Sequence, residues 1–194
     1  MIDVFDKIKE LLTFESEDDF YYLQILQRKK ENPQIGSNSH VIKNYYIGSL
    51  EYLETRYDEI KALCNYFNAR AMLRLNKRSY SKVAFKTMQN IANSMSNGEY
   101  SFIKKSYDRA CGNGHNDKNK KWIIDIDGKC DDEFLLEIES FIKKCQPDGN
   151  KIITRLPTKN GVHLITKPFD LSTFNLTYPS IDIHKDNPIN LYIP

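Results

Sequence analysis

Asp125 and Asp127 flank a single isoleucine in the run Lys-Trp-Ile-Ile-Asp-Ile-Asp-Gly. Strand alternation puts both carboxylates on one face of a sheet and turns Ile124 and Ile126 into a core. Two carboxylates so close repel unless a cation lies between them, and Mg2+ or Mn2+, hard ions that prefer oxygen, suit the pair. A strand end running into an Asp-Gly turn accounts for the same residues without chemistry. Further along, Gly161 leaves room for a ligand to approach the backbone, and His163 projects from a segment that also holds Leu164 and Ile165. Arg155 and Lys159 place positive charge on the same hairpin, where a phosphate would sit. Asp182, in Ser-Ile-Asp-Ile-His, is a third acid, with Asp186 four residues on. A third carboxylate lets two divalent ions be shared, the arrangement used for in-line phosphoryl or nucleotidyl transfer.

Cations precede these acids. Arg70 and Arg74 alternate with apolar residues on an expected strand, and Asn76-Lys77-Arg78 turns into a helix capped by Ser79. A helix N-terminus with neighbouring cations favours phosphate, so these four side chains are expected to hold a template or a nucleoside triphosphate. The formal net charge of +2 hides strong segregation. Residues 1–20 carry −5, residues 21–121 carry +10 and residues 122–194 carry −3. A basic block beside an acidic one suits a polyanion held next to a carboxylate site, whereas a lysine-rich solvated helix face gives the same count.

The elements that position these residues follow from periodicity. Residues 2–13 space their apolar side chains as a helix, and 20–27, rich in aromatics, form a strand. A loop over 32–39 leads to a strand at 41–47, a helix from Ser49 to about residue 67 and a strand at 69–75. Val83, Met88, Ile91 and Met95 line a helix that stops before Asn97-Gly98, and 100–110 forms another. Tyr100, Phe102 and Tyr107 fall at helical spacing, which favours core over base stacking. A strand at 121–126, a helix opened by Asp131, a hairpin over 151–166 and short strands at 181–183 and 191–193 complete the chain. This order predicts an α+β fold with a largely antiparallel or mixed sheet flanked by helices. Residues 1–68 are expected as a smaller N-terminal α/β lobe and 69–194 as the catalytic core, within one compact body.

Composition excludes several classes. Hydrophobic residues at 40% support a real core, and 15 Gly and Pro among 194 residues rule out a collagen-like chain. No apolar run reaches the roughly 18 residues that cross a bilayer, and the acidic, amphipathic start lacks a secretory pattern, so a soluble cytoplasmic protein without a membrane partner is expected. Cys64, Cys111, Cys130 and Cys145 form no Cys-x-x-Cys pair and read as free thiols. Cys111, His115, Cys130 and Cys145 match no standard two-plus-two zinc spacing.

Taken together, Asp125-Ile-Asp127, Gly161-Val-His163 and Ile181-Asp182 fall in an order that resembles the signature of the archaeo-eukaryotic primase superfamily, in its small phage or mobile-element form. The resemblance covers about residues 69–194. It implies an RRM-like catalytic sheet beside a smaller lobe, with Asp125, Asp127 and Asp182 binding Mg2+ or Mn2+ and His163 contacting the phosphates of an incoming nucleotide. It also implies a primase or primase-polymerase acting in DNA replication on a single-stranded DNA template and nucleoside triphosphates, with a replicative helicase as a family expectation. A metal-dependent nuclease would use the same carboxylates, and a catalytically degenerate accessory would keep only nucleic-acid binding. Asp125-Ile-Asp-Gly also resembles the nucleophile motif of haloacid-dehalogenase-like phosphatases. That motif ends in Thr or Val after the Gly and lies early in its domain, where this chain has Lys129 and only 67 residues after Asp127.

Overall fold

The computed structural model describes residues 1–36, 38–113, 118–128 and 131–194, so His115 and Cys130 lie outside the described residues. The described residues fold as α+β, with two sheets and six α-helices among them. It divides into two units near residues 118/119, and the last residues, 190–194, belong with the first. The division does not fall at the expected 68/69. The strand of residues 70–74 is hydrogen-bonded inside the first sheet and holds its neighbours there.

In the first unit, β1 (Ile2–Asp3), α1 (Phe5–Lys9), β2 (Asp19–Gln27), β3 (His40–Ile47), α2 (Leu50–Phe67), β4 (Arg70–Arg74), β5 (Arg78–Ser79), α3 (Tyr80–Ser96) and α4 (Ser106–Asn113) follow in order. The helix expected over 2–13 is only α1, because Ile2 and Asp3 are taken up as strand. The sheet runs β1-β10-β4-β2-β3, with β5 also on β2, where β10 is Pro188–Ile193. Period-2 alternation splits β2 between two layers. Tyr21, Leu23 and Ile25 turn to the face of α2, whose Glu59 accepts a hydrogen bond from the Tyr45 hydroxyl at 3.0 Å. Phe20 and Tyr22 turn to the other face, where Val83, Ala110 and Cys111 of α3 and α4 cover them.

Helix α2 starts where Ser49 accepts the Tyr52 N–H at 3.0 Å, and buries Leu53, Tyr57, Ile60 and Cys64 in one stripe. Each such side chain contributes about 1.5–3 kcal/mol on burial. Helix α3 has the expected periodicity, but its apolar stripe is not its buried face: Val83 is buried while Met88 and Met95 are exposed. Residues 100–110 form a 3-10 turn (Tyr100–Lys105) running into α4 and not one helix, and Tyr100 and Phe102 are exposed there and not in the core.

In the second unit the order is β6 (Trp122–Asp127), α5 (Asp132–Lys144), β7 (Ile152–Pro157), β8 (Gly161–Thr166), α6 (Ser172–Thr177) and β9 (Asp182–His184). The sheet runs β7-β8-β6-β9 with every pair antiparallel. Asp131 accepts the Phe134 N–H at 2.8 Å and opens α5; acids in its first turn and lysines in its last complement the helix dipole. One face of the sheet carries Ile124, Ile126 and Leu164 into a core with Leu135, Ile138 and Ile142 of α5 and Phe174 of α6. Beyond α5 the chain wraps around the buried ammonium of Lys151, which donates to the carbonyls of Lys143, Cys145 and Gly149 at 3.2, 2.9 and 2.9 Å and also to that of Pro147.

Candidate functional site

On the face of the second sheet opposite its helices, side chains far apart in sequence form one row. Asp125 on β6 pairs directly with His163 on β8 and with Asp182 on β9. Directly opposed residues in an antiparallel pair have Cβ atoms about 4.5–5.5 Å apart and share a face, so pairing alone fixes this cluster. Asp127, two residues along β6, and His184, two residues along β9, join the same face by alternation. The row lies where that face changes character. Ile123 and Ile165 are buried at one end and Asp127 is exposed at the other.

Asp125 is the hub. His163 Nε2 lies 3.2 Å from its Oδ1 and His184 Nε2 lies 3.8 Å from its Oδ2. The carboxylate is a quarter exposed and the His163 side chain only 12%. The hydrogen bond from His163 holds the Asp125 carboxyl below the ordinary carboxylate range, against the opposing effect of burial, and both imidazoles add electrostatic support. Asp182 and Asp127 are exposed.

His184 is the residue that motif reading left out. Its signal is Asp182-Ile183-His184, the same two-residue alternation that Asp125 and Asp127 display. Gly161 has a different role from the one expected. A Cβ there would stand 2.0 Å from the carbonyl oxygen of Ile126, so the close pairing of β8 with β6 by itself requires the glycine.

The cations divide from the acids. Arg155 pairs with Leu164, so it projects to the helix side, where its Nε meets Glu139 Oε1 at 2.6 Å and its Nη1 meets Asp132 Oδ1 at 3.4 Å. It braces α5 against β7 and is not on the face of His163. Lys159 is exposed in the turn between β7 and β8, which the Thr158 N–H closes on the Gly161 carbonyl at 2.9 Å.

In the first unit, Arg70 grips Glu31 with two nitrogens, one at 3.0 Å, and is 7% exposed. Lys77 pairs with Glu15 and Asp19, both at 3.2 Å. Arg78, 1% exposed, donates to the carbonyls of Cys111 at 2.9 Å and of Asn76. Arg74 is half-buried on β4. Three of the four expected phosphate ligands are therefore internal braces. The exposed positive charge of this unit is spread more widely, over Lys29 and Lys30, Lys43 and Arg56, Lys82 and Lys86, and Lys104, Lys105 and Arg109 among others.

Among the described residues, no three His, Cys, Asp or Glu side chains stand together in a metal-holding geometry. The donor set itself is oxygen-rich, with three carboxylates on one face, which is the chemistry magnesium and manganese prefer. Cys64, Cys111 and Cys145 are buried free thiols, and burial pushes those of Cys64 and Cys111 up to about 12, which leaves them unreactive. No helix is long and apolar enough to cross a membrane. Comparison of the chain with protein-family models, curated proteins and solved structures finds no match to any of them.

Proposed function

We propose that the second unit is a metal-dependent nucleotidyltransferase domain of primase or primase-polymerase type, built on an RRM-like β-α-β-β-α-β sheet. One observation carries the reading. Asp182, Asp125 and His163, drawn from three separate segments, stand side by side across β9, β6 and β8 on the face opposite α5 and α6. Packing does not require a buried-to-exposed row of two acids and two imidazoles, and unexplained titratable rows of this kind mark sites of chemistry. The strand order β7-β8-β6-β9, with helices on the opposite face, supports the RRM-like description.

In this reading Asp125, Asp127 and Asp182 hold Mg2+ or Mn2+, which supplies Lewis-acid polarisation of phosphoryl oxygens. His163 and His184 orient the Asp125 carboxylate through their Nε2 atoms, and His163 contacts the phosphates of the incoming nucleotide. A single-stranded DNA template and nucleoside triphosphates are the substrates, and the exposed lysines of the first unit provide the salt-sensitive part of the attraction.

The test is incorporation of labelled nucleotides on a primed or unprimed single-stranded template with magnesium or manganese, for the wild type and for Asp125→Ala. Incorporation that falls to background in the variant supports the reading. Equal activity in both, or none in the wild type, overturns it. Metal-dependent cleavage of the template without incorporation moves the assignment to a nuclease, and salt-sensitive binding without turnover moves it to a replication accessory.

A further inference from the structure

A second site lies within the first unit. Where α3 and α4 stop covering the sheet, a cavity of about 520 Å³ opens over β2 and β3. Its floor is Tyr22, Gln24 and Asn44, and its wall from the helical side carries Lys105, Asp108 and Arg109. The size is in the range of pockets that take small organic ligands.

The floor is unusual in what it leaves unsatisfied. Tyr22 is 1% exposed, its ring stacks on Tyr46 at 5.8 Å, and its hydroxyl is buried with no hydrogen-bond partner among the described residues. The nearby carboxylate of Asp108 takes a hydrogen bond from Tyr46 at 2.6 Å and lies within electrostatic reach of the Tyr22 hydroxyl. A buried hydroxyl left without a partner is destabilising, and native proteins tolerate few of them. Beside it the amides of Gln24 and Asn44, both lining the cavity, bond to each other at 3.1 Å, which uses only one donor and one acceptor of the pair. At the rim, Lys105 and Arg109 are four residues apart and exposed, and Arg109 lies over the Phe102 ring at 5.1 Å. His40 stands on the β3 side. Besides Tyr22, the titratable lining is thus two cations, one histidine and one carboxylate that accepts from Tyr46.

We infer that this cavity binds a phosphorylated sugar, free or within a nucleoside monophosphate, with its phosphate on Lys105 and Arg109 and its hydroxyl-bearing body against Tyr22, Gln24 and Asn44. A dianionic phosphate matches the paired cations, and a polyol supplies the donors and acceptors that the tyrosine and the two amides lack. This site is independent of the aspartate–histidine row and of the activity proposed for it.

The test is calorimetric titration of the full chain with ribose 5-phosphate, adenosine monophosphate and adenosine, repeated for Tyr22→Phe, for the double variant Lys105→Ala with Arg109→Ala, and for Asp125→Ala. At least one phosphorylated probe is expected to bind, adenosine at least tenfold more weakly than its monophosphate, and which of the two phosphorylated probes is tighter identifies the source. The double variant should weaken binding at least tenfold and Tyr22→Phe several-fold, while Asp125→Ala binds as the wild type does. Tyr22→Phe is also expected to leave the thermal midpoint of the unliganded protein unchanged or raised, because it removes a hydroxyl that nothing satisfies. Failure of both phosphorylated probes to bind overturns the inference. So does adenosine binding as tightly as its monophosphate, or affinity unchanged in both the tyrosine and the double variants.

Discussion

Charged side chains do opposite jobs in the two units. In the first, Arg70, Lys77 and Arg78 are nearly inaccessible, and each is held by a carboxylate or by backbone carbonyls. In the second, Asp125, Asp182, His163 and His184 lie across three strands on a sheet face, with exposure rising along the row. A buried cation held by fixed acceptors is explained by architecture alone. Acids and imidazoles crowded onto one face, with no packing need for their charge, are not. The type of residue therefore says less about function than whether the fold already accounts for its charge.

Four measurements break or sharpen that contrast. The largest effect is expected from Arg78→Met, which strips the carbonyls of Cys111 and Asn76 of a charged donor; it should cost about 3 kcal/mol in urea unfolding. Lys86→Met, at an exposed position, should stay within about 0.5 kcal/mol, and equal losses would erase the distinction drawn here. Next is Gly161→Ala. Its Cβ must displace β8 from the Ile126 carbonyl, at about 2 kcal/mol, and should shift the imidazole resonances of His163, whereas Gly98→Ala, which meets nothing within 4 Å but has positive φ, should leave those resonances in place.

The third concerns acid. Because the folded protein holds the Asp125 carboxyl below its ordinary value, that group contributes stability fully present above about pH 4, the unfolded value, and lost as pH falls through its lowered one. Unfolding followed from pH 6 to pH 2.5 should show a shallower acid-side decline for Asp125→Asn than for the wild type; identical slopes would mean that the His163 contact is not formed in solution. The smallest effect is that of Asp182→Asn. Its exposed carboxylate should change stability by less than about 0.5 kcal/mol by thermal melting, although the same variant should lose nucleotide incorporation.

Much of this was readable in advance, and for identifiable reasons. The pair Asp125 and Asp127 was legible because a two-residue period leaves no choice of face once Ile124 and Ile126 are taken as core, and both are buried. Ser49, Ser79 and Asp131 were legible as caps, and each accepts the expected backbone N–H. The fate of the arginines was not. Arg70 is neutralised by Glu31, which lies 39 residues earlier, and Arg78 donates to a carbonyl 33 residues later, so no local pattern reveals that these cations are spent. Helix α3 shows the converse limit: spacing identifies the helix, but only the neighbours decide that Val83 is covered and Met88 is not. Helix α6, six residues long, is too short for any period to register.

One feature of the first sheet bears on how the protein comes into being. Strand β10, from residues 188–193, lies between β1 and β4, so the first sheet is completed by a segment made after every strand of the second. During synthesis β4 and β1 lack their shared neighbour until residue 193 has left the ribosome, whereas every strand of the second sheet has emerged by residue 184. The nascent chain is therefore expected to finish the later half first and to keep an open strand edge on the earlier half until translation reaches β10, an interval in which chaperone engagement would be most productive.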